Sequence, residues 1–251
     1  MVRNRLFVGM ICLCLACGGD APASEGDPGM EAVAGEIGVV DVTARGLTFD
    51  APSEIPAGWT TFRFTNASPM VHFVAVQRMP EGYGVREQQG EVAPIFQDGL
   101  DLLTAGDVDG AMAEFGKIPA WFGEIVLMGG PGLTSPGLTS GATVYLEPGT
   151  YLLECYVKTD GVFHSFNPDP AAYGMVHDFT VTGEMSTAVE PMADLDVTIS
   201  SEGGITMEGD PAPGPQTIRV RFADQTLHEN FGGNDVHVVR LSQDLDLGAL
   251  D

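Results

Sequence analysis

Short runs of alternating or continuous apolar residues recur along the chain and predict β-strands. Residues 60–66 alternate cleanly, because Phe62 and Phe64 fall on one face of an extended segment and their polar neighbours on the other. Residues 71–76 are almost wholly apolar, as expected of a strand buried between two sheets. Together they favour a mainly β protein built as a sandwich. Further strands are predicted at 39–43, 47–49, 143–146, 150–156 and 178–182, and a turn is predicted at 55–58.

A different pattern interrupts the strands. Over 95–128 the apolar residues recur at helical spacing, and Asp107 is placed to cap the second of two helices. The Gly- and Pro-rich segment 128–137 then predicts a loop that leads back to the sheet. We expect a helical insertion at about 95–128, packed over the sandwich.

The tail repeats part of the earlier pattern. Residues 195–198 (LDVT) echo 40–43 (VDVT), and Thr217-Ile-Arg-Val220 echoes Thr61-Phe-Arg-Phe64. A third echo, VHVV beginning at Val236, matches the segment that contains His72. No counterpart of the cysteine-containing half follows. We therefore interpret 37–183 as one complete domain and 184–251 as a partial second module of the same kind.

The first 36 residues indicate export. Arg3 and Arg5 precede an apolar run that is too short to span a bilayer, and Ala16-Cys17-Gly18 then resembles a bacterial lipobox. The interpretation is a signal peptide at 1–17, with Cys17 becoming a lipidated N-terminus anchored to the cell-envelope membrane and facing the periplasm or the exterior. An ordinary signal peptide cut nearby is the alternative. Residues 18–36, small, acidic and rich in Gly and Pro, predict a flexible tether.

The net charge of the chain limits the classes of partner that we expect it to bind. The chain carries 11 Lys and Arg against 35 Asp and Glu. Such an excess repels nucleic acid and anionic headgroups, so we expect no nucleic-acid partner and membrane contact through the lipid alone. A basic redox protein is the partner that such a surface favours, although the composition also suits a salt-tolerant organism.

One stretch, 144–181, concentrates metal-binding residue types. Cys155 ends a strand, His164 lies in the following loop, and Met175 precedes another strand. With Cys12 and Cys14 in the signal and Cys17 lipidated, Cys155 is the one thiol left in an exported protein, where unpaired cysteines are unusual. Thiolate, imidazole and thioether are the donors of a mononuclear electron-transfer copper site. His72 is the natural candidate for the remaining donor.

These motifs resemble the cupredoxin, or blue copper protein, family. The similar pieces are I-P-A-G-x-x-T-F-x-F-T-N at 55–66, the histidine in S-P-M-V-H, L-x-P-G-x-Y-x-x-x-C at 146–155, and H…G-M before a final strand. The resemblance implies a Greek-key sandwich that holds one copper ion between His72, Cys155, His164 and Met175. In that family the second histidine usually follows the cysteine by two to four residues, whereas here eight residues separate Cys155 from His164.

Two hypotheses follow from these features. In the first, a cell-envelope lipoprotein binds one copper ion and transfers single electrons or holds copper. In the second, a metal-free sandwich is tethered by Cys17 and acts as a binding module through its helical insertion. No catalytic residue is predicted, because the sequence has no HExxH, CxxC, P-loop or G-x-S-x-G motif, and we do not expect an enzyme.

Overall fold

The computed structural model describes residues 38–169, 171–224 and 236. The predicted signal peptide 1–17 with Cys17, and the predicted tether 18–36, lie outside these residues. The described residues divide into a first compact unit that ends at Met192 and a second that begins at Ala193.

Most of the first unit is extended chain. Its strands are β1 (Val39–Arg45), β2 (Thr48–Asp50), β3 (Glu54–Asn66), β4 (His72–Arg78), β5 (Val126–Thr134), β6 (Thr139–Leu146), β7 (Gly149–Glu154), β8 (Lys158–Thr159), β9 (Val162–Phe163) and β10 (Val176–Met185). The second unit contributes β11 (Leu195–Ser200), β12 (Gly204–Glu208) and β13 (Ile218–Phe222).

The helices lie between β4 and β5. They are α1 (Val85–Glu87), a π-helical turn (Gln88–Val92), α2 (Ala93–Thr104), α3 (Val108–Phe115) and a 3-10 turn (Ala120–Glu124). Asp107 caps α3, as predicted, because its side chain accepts a hydrogen bond from the Gly110 amide at 2.9 Å. Within the described ranges no helix has both the length and the apolar character that crossing a bilayer requires.

Two layers share strand β3. The strand order is β2-β1-β3-β10-β7-β4-β5, with β6 also paired to β3. The first residues of β3 run parallel to β10, and beyond Gly58 the strand pairs with β6 and β1 instead. Apolar residues of both layers meet between them, with Phe62 and Phe64 of β3 facing Val74 of β4 and Leu153 of β7 in one buried cluster. The prediction of a mainly β sandwich with a helical insertion is confirmed.

Strand β7 is buried on both faces. Tyr151 and Leu153 pack into the core of the sandwich, whereas Leu152 packs against Trp121 of the insertion. Because successive side chains alternate between faces, Glu154 points to the same side as Leu152. This double burial explains why 151–153 is continuously apolar, and it places the insertion on the outer face of the sheet.

Three boundaries differ from the sequence prediction. Residues 55–58, predicted as a turn, form the start of β3, where Gly58 adopts a φ of +112° at the change of pairing partner. The helices begin at Val85 rather than 95. Much of the predicted loop 128–137 is strand β5, whose register against β4 shifts beside Gly129.

Candidate metal centre

The strand pairing brings four predicted site residues to one end of the sandwich. His72 begins β4, Cys155 directly follows β7, and Met175 directly precedes β10. Because β7 is antiparallel to both β4 and β10, its end lies beside their beginnings. His164 directly follows β9, and its amide donates to the Val157 carbonyl at 2.9 Å, which returns the loop towards the cysteine.

Three of these residues converge through their side chains. The Cys155 Sγ lies 3.7 Å from His72 Nδ1 and 3.4 Å from His164 Nδ1. The two imidazole rings lie 5.0 Å apart between centroids. His72 and Cys155 are fully buried, and His164 is 1% exposed. One donor atom from each residue therefore falls within 4.8 Å of the others in a site closed to bulk water.

Besides the two imidazoles, backbone amides contribute to the surroundings of Cys155. The Phe73 amide donates to Sγ at 3.3 Å, while the Cys155 amide donates to the Met175 carbonyl at 3.2 Å. Burial raises the pKa of the Cys155 thiol to about 12, and the backbone amides of Phe73 and Val157 oppose that shift. In the metal-free protein Cys155 is therefore a protonated thiol at neutral pH.

Both histidines are held in the neutral form. Burial is the main cause that lowers the pKa of His72, and burial together with the neighbouring His72 lowers the pKa of His164 to about 4. The Thr159 hydroxyl lies 2.8 Å from His164 Nε2, which leaves Nδ1 facing the sulfur. Neutral imidazoles offer the lone pairs that a metal ion requires.

Met175 lies in the same buried cluster as Cys155 and is fully buried. Its amide donates to the His164 carbonyl at 2.7 Å, and its carbonyl accepts from Cys155. The preceding Gly174 passes so close to the Ser165 carbonyl oxygen that an added Cβ would lie 2.1 Å from it. Three of the four predicted site residues are thus connected to one another through backbone hydrogen bonds.

The long interval between cysteine and histidine folds into a defined structure. Within it, β8 and β9 form a two-stranded hairpin, in which Lys158 pairs with Phe163 and Thr159 with Val162. The hairpin takes up the extra residues and brings His164 back to the end of β7. The greater length therefore does not prevent the two donors from meeting.

Sequence reasoning missed a buried polar network beside the cluster. The fully buried Glu154 carboxyl accepts hydrogen bonds from Gln77 Nε2 at 2.5 Å and from Gln88 Nε2 at 2.8 Å. Burial is the main cause that raises the pKa of this carboxyl. One signal was available, since a glutamate at the end of an otherwise apolar strand requires partners wherever it is buried.

The donor set fits a copper ion. A metal ion at about 2.0 Å from nitrogen and about 2.3 Å from sulfur, with trigonal angles between its donors, would separate nitrogen from sulfur by about 3.7 Å. The two Sγ–Nδ1 distances, 3.4 and 3.7 Å, are close to that value. His72, Cys155 and His164 are positioned to form a copper site. The two-layer sandwich and this cluster have the fold and the donor set that the resemblance to cupredoxins implies.

Comparison with known proteins gave matches among solved structures alone, since no family model and no curated protein matches the chain. Reduced auracyanin from Roseiflexus castenholzii aligns with 58% of this chain and 97% of its own, at 20% identity and a TM-score of 0.33. Auracyanin A, a "blue" copper protein from Chloroflexus aurantiacus, aligns with 57% and 98%, at 23% identity and 0.33. A multicopper oxidase aligns with 64% and 47%, at 14% identity and 0.27.

Proposed function

We propose that this protein carries single electrons on one copper ion held by His72, Cys155 and His164, with Met175 as the fourth donor. The observation that carries the proposal is the convergence of a thiol and two neutral imidazoles in a buried site, at 3.4 and 3.7 Å from sulfur to nitrogen. Copper bound by such donors supplies a one-electron couple.

The fold favours electron transfer because it limits how far the ligands can move when the copper ion changes oxidation state. His72 is fixed in β4, and the other three residues are tied to one another by backbone hydrogen bonds. Burial excludes water from the donors, so neither protonation nor an added ligand has easy access. Because the Cys155 thiol must lose its proton when a metal binds, we expect copper affinity to rise with pH.

The cellular setting is part of the proposal. We propose that Cys17 is lipidated and that the acyl chains hold the domain at the cell-envelope membrane, facing the periplasm or the exterior. The excess of acidic residues supports steering of a basic redox partner. Copper holding without electron transfer is a narrower form of the same function.

Copper content and visible absorption of the purified, oxidised protein test the proposal. One copper per chain with an intense thiolate charge-transfer band is expected, and Cys155→Ser is expected to remove the band. Met175→Leu should shift the reduction potential, whereas Met79→Leu, at another buried methionine, should leave it unchanged. A colourless copper-loaded protein whose copper affinity is unchanged in Cys155→Ser would refute the proposed site, whereas a folded protein that binds no copper would favour the metal-free binding module.

A further inference from the structure

The helical insertion contacts the candidate site through three glutamines. Gln88 and Gln89 lie in the π-helical turn, and Gln97 lies in α2. Their side chains bind Glu154, Gly174 and Phe163, which immediately precede Cys155, Met175 and His164. Each glutamine therefore holds the chain one residue before a proposed ligand.

Gln97 makes the most extensive of these contacts. Its Oε1 accepts from the Phe163 amide at 2.7 Å, and its Nε2 donates to the Gly161 carbonyl at 2.9 Å. A second contact supports the same hairpin, since the Lys158 ammonium lies 2.7 Å from the Asp101 carboxylate of α2. Helix α2 thus holds both strands of the hairpin, which also carries the Thr159 hydroxyl beside His164 Nε2.

Gln88 and Gln89 act on the other two segments. Gln88 Nε2 donates to Glu154 at 2.8 Å, and the same carboxyl is held from β4 by Gln77. Gln89 Oε1 accepts from the Gly174 amide at 2.7 Å. Gly174 itself packs closely against the Ser165 carbonyl, with no room for a side chain between them.

The three residues held in this way share a structural property. Cys155, His164 and Met175 all lie outside regular strands, whereas His72 lies in β4 and is fixed by the sheet. A ligand in a loop must be ordered at the cost of conformational entropy, and the cost grows with the length of the loop. Gln89 and Gln97 supply hydrogen bonds to backbone amides outside the main sheet, and Gln88 fixes the side chain of Glu154 at the end of β7.

We propose that the helical insertion is a positioning device for the metal centre, in which Gln88, Gln89 and Gln97 fix the three loop-borne ligands. The inference deepens the proposed copper function and rests on it for the identity of the metal. It gives the insertion a role in setting the geometry of the site. Partners that orient ligands in this way typically contribute 10- to 100-fold to metal affinity.

The first test compares four variants of the full chain. Gln88→Ala, Gln89→Ala and Gln97→Ala are each expected to weaken copper affinity about 10-fold and to shift or broaden the charge-transfer band. The control is Glu91→Ala, which removes the hydrogen bond from Trp121 Nε1 to Glu91, 2.9 Å long and internal to the insertion. It is expected to lower thermal stability while leaving affinity and band unchanged.

A second readout needs no copper. In the metal-free protein we expect a thiol-alkylating reagent to modify Cys155 several-fold faster in Gln88→Ala and Gln97→Ala than in the wild type or in Glu91→Ala. Peptide mass spectrometry distinguishes Cys155 from the other three cysteines. The rates are compared under conditions in which each variant is folded, as judged by circular dichroism.

The two readouts separate the inference from the proposed function. Wild-type protein without a copper band would refute the proposed function, and the alkylation rates would still test whether the glutamines hold the cluster. If the glutamine variants match Glu91→Ala in alkylation, and also in copper affinity wherever the wild type binds copper, the insertion is packing alone and the inference is wrong.

Discussion

The two units of the chain contain the same three-strand arrangement in different surroundings. In the first unit β1 pairs antiparallel with β2 and parallel with β3, and in the second β11 pairs likewise with β12 and β13. The register also agrees, since Asp41 lies opposite Arg63 and Asp196 opposite Arg219. Similar short sequence patterns therefore produce the same local strand pairing twice.

The surroundings differ in burial. Arg63 holds Asp41 through two hydrogen bonds of 2.6 and 2.9 Å, whereas Arg219 contacts Asp196 at 3.4 Å. Phe62 is 1% exposed, but Ile218 at the equivalent position is 37% exposed. In the first unit the later strands β7 and β10 complete a second layer over this face. Strand pairing is thus encoded locally, while the core and the metal centre depend on the half of the chain that follows.

The sharpest test of this comparison is copper binding itself. His72→Ala is expected to abolish the charge-transfer band, because one of the three converging donors is lost. His237→Ala, at the position that echoes His72 in the tail, is expected to leave copper content unchanged, since the tail has no cysteine. Copper analysis and absorption spectra measure both. Loss of copper in His237→Ala would show that the two units share a site and would break the comparison.

The next largest difference between the two units is expected when a core side chain of each is truncated to alanine. Phe62→Ala is expected to lower the free energy of unfolding by about 3–5 kcal/mol, because it leaves a cavity in a closed core. Ile218→Ala is expected to cost about 1 kcal/mol, since its side chain is already partly in water. Denaturation followed by tryptophan fluorescence reports on the first unit, which contains both Trp59 and Trp121. Amide hydrogen exchange reports on β11. Equal losses would indicate that the second unit is as closely packed as the first.

Acid should destabilise the metal-free first unit through His164. Its pKa is lowered from 6.5 to about 4 in the folded protein, so between these values the unfolded chain binds a proton that the folded chain does not. The free energy of unfolding is therefore expected to fall as pH falls from 6.5 to 4, by up to about 3 kcal/mol at 1.36 kcal/mol per unit. Tryptophan fluorescence measures the transition. A pH profile that is the same in His164→Gln as in the wild type would contradict the assignment.

The smallest expected difference in the free energy of unfolding is between variants of the two Asp–Arg pairs. Asp41→Ala is expected to cost about 1 kcal/mol, because it breaks a bidentate contact to an arginine whose side chain is 10% exposed. Asp196→Ala is expected to cost less than about 0.5 kcal/mol, because the contact of Asp196 with Arg219 is longer, at 3.4 Å. Denaturation followed by tryptophan fluorescence measures the first loss, and amide hydrogen exchange measures the second. A larger loss in Asp196→Ala would reverse the expected ranking.

The sequence predicted the strands whose burial leaves a simple pattern of apolar residues, either alternating or continuous. The alternation at Phe62 and Phe64 gave the buried face of β3 directly, and the apolar run of β4 indicated a strand covered on both sides. Segment 55–58 was predicted as a turn because Pro56 and Gly58 are typical turn residues. In the fold they mark the point where one strand changes sheets, which no local pattern distinguishes from a turn.

The candidate site was predictable as a set of residue types and not as a geometry. Cys155 stood out because the other cysteines belong to the predicted signal and lipid anchor. His164 is brought beside it by the β8–β9 hairpin, and that hairpin is hydrogen-bonded to Gln97, 66 residues away from Phe163. Contacts between such distant residues leave no periodic trace in a single sequence.

Strand β3 also has a consequence for the order of events during folding. Its partners are β1, which it follows closely, and β6 and β10, which are synthesised much later. Contacts between distant residues close slowly, because the loop entropy is lost before any contact compensates for it. The pairing of β4 with β7, which brings His72 and Cys155 together across 83 residues, is a contact of the same kind. Until these distant strands pair, the Cys155 thiol has no closed core around it and is open to oxidants.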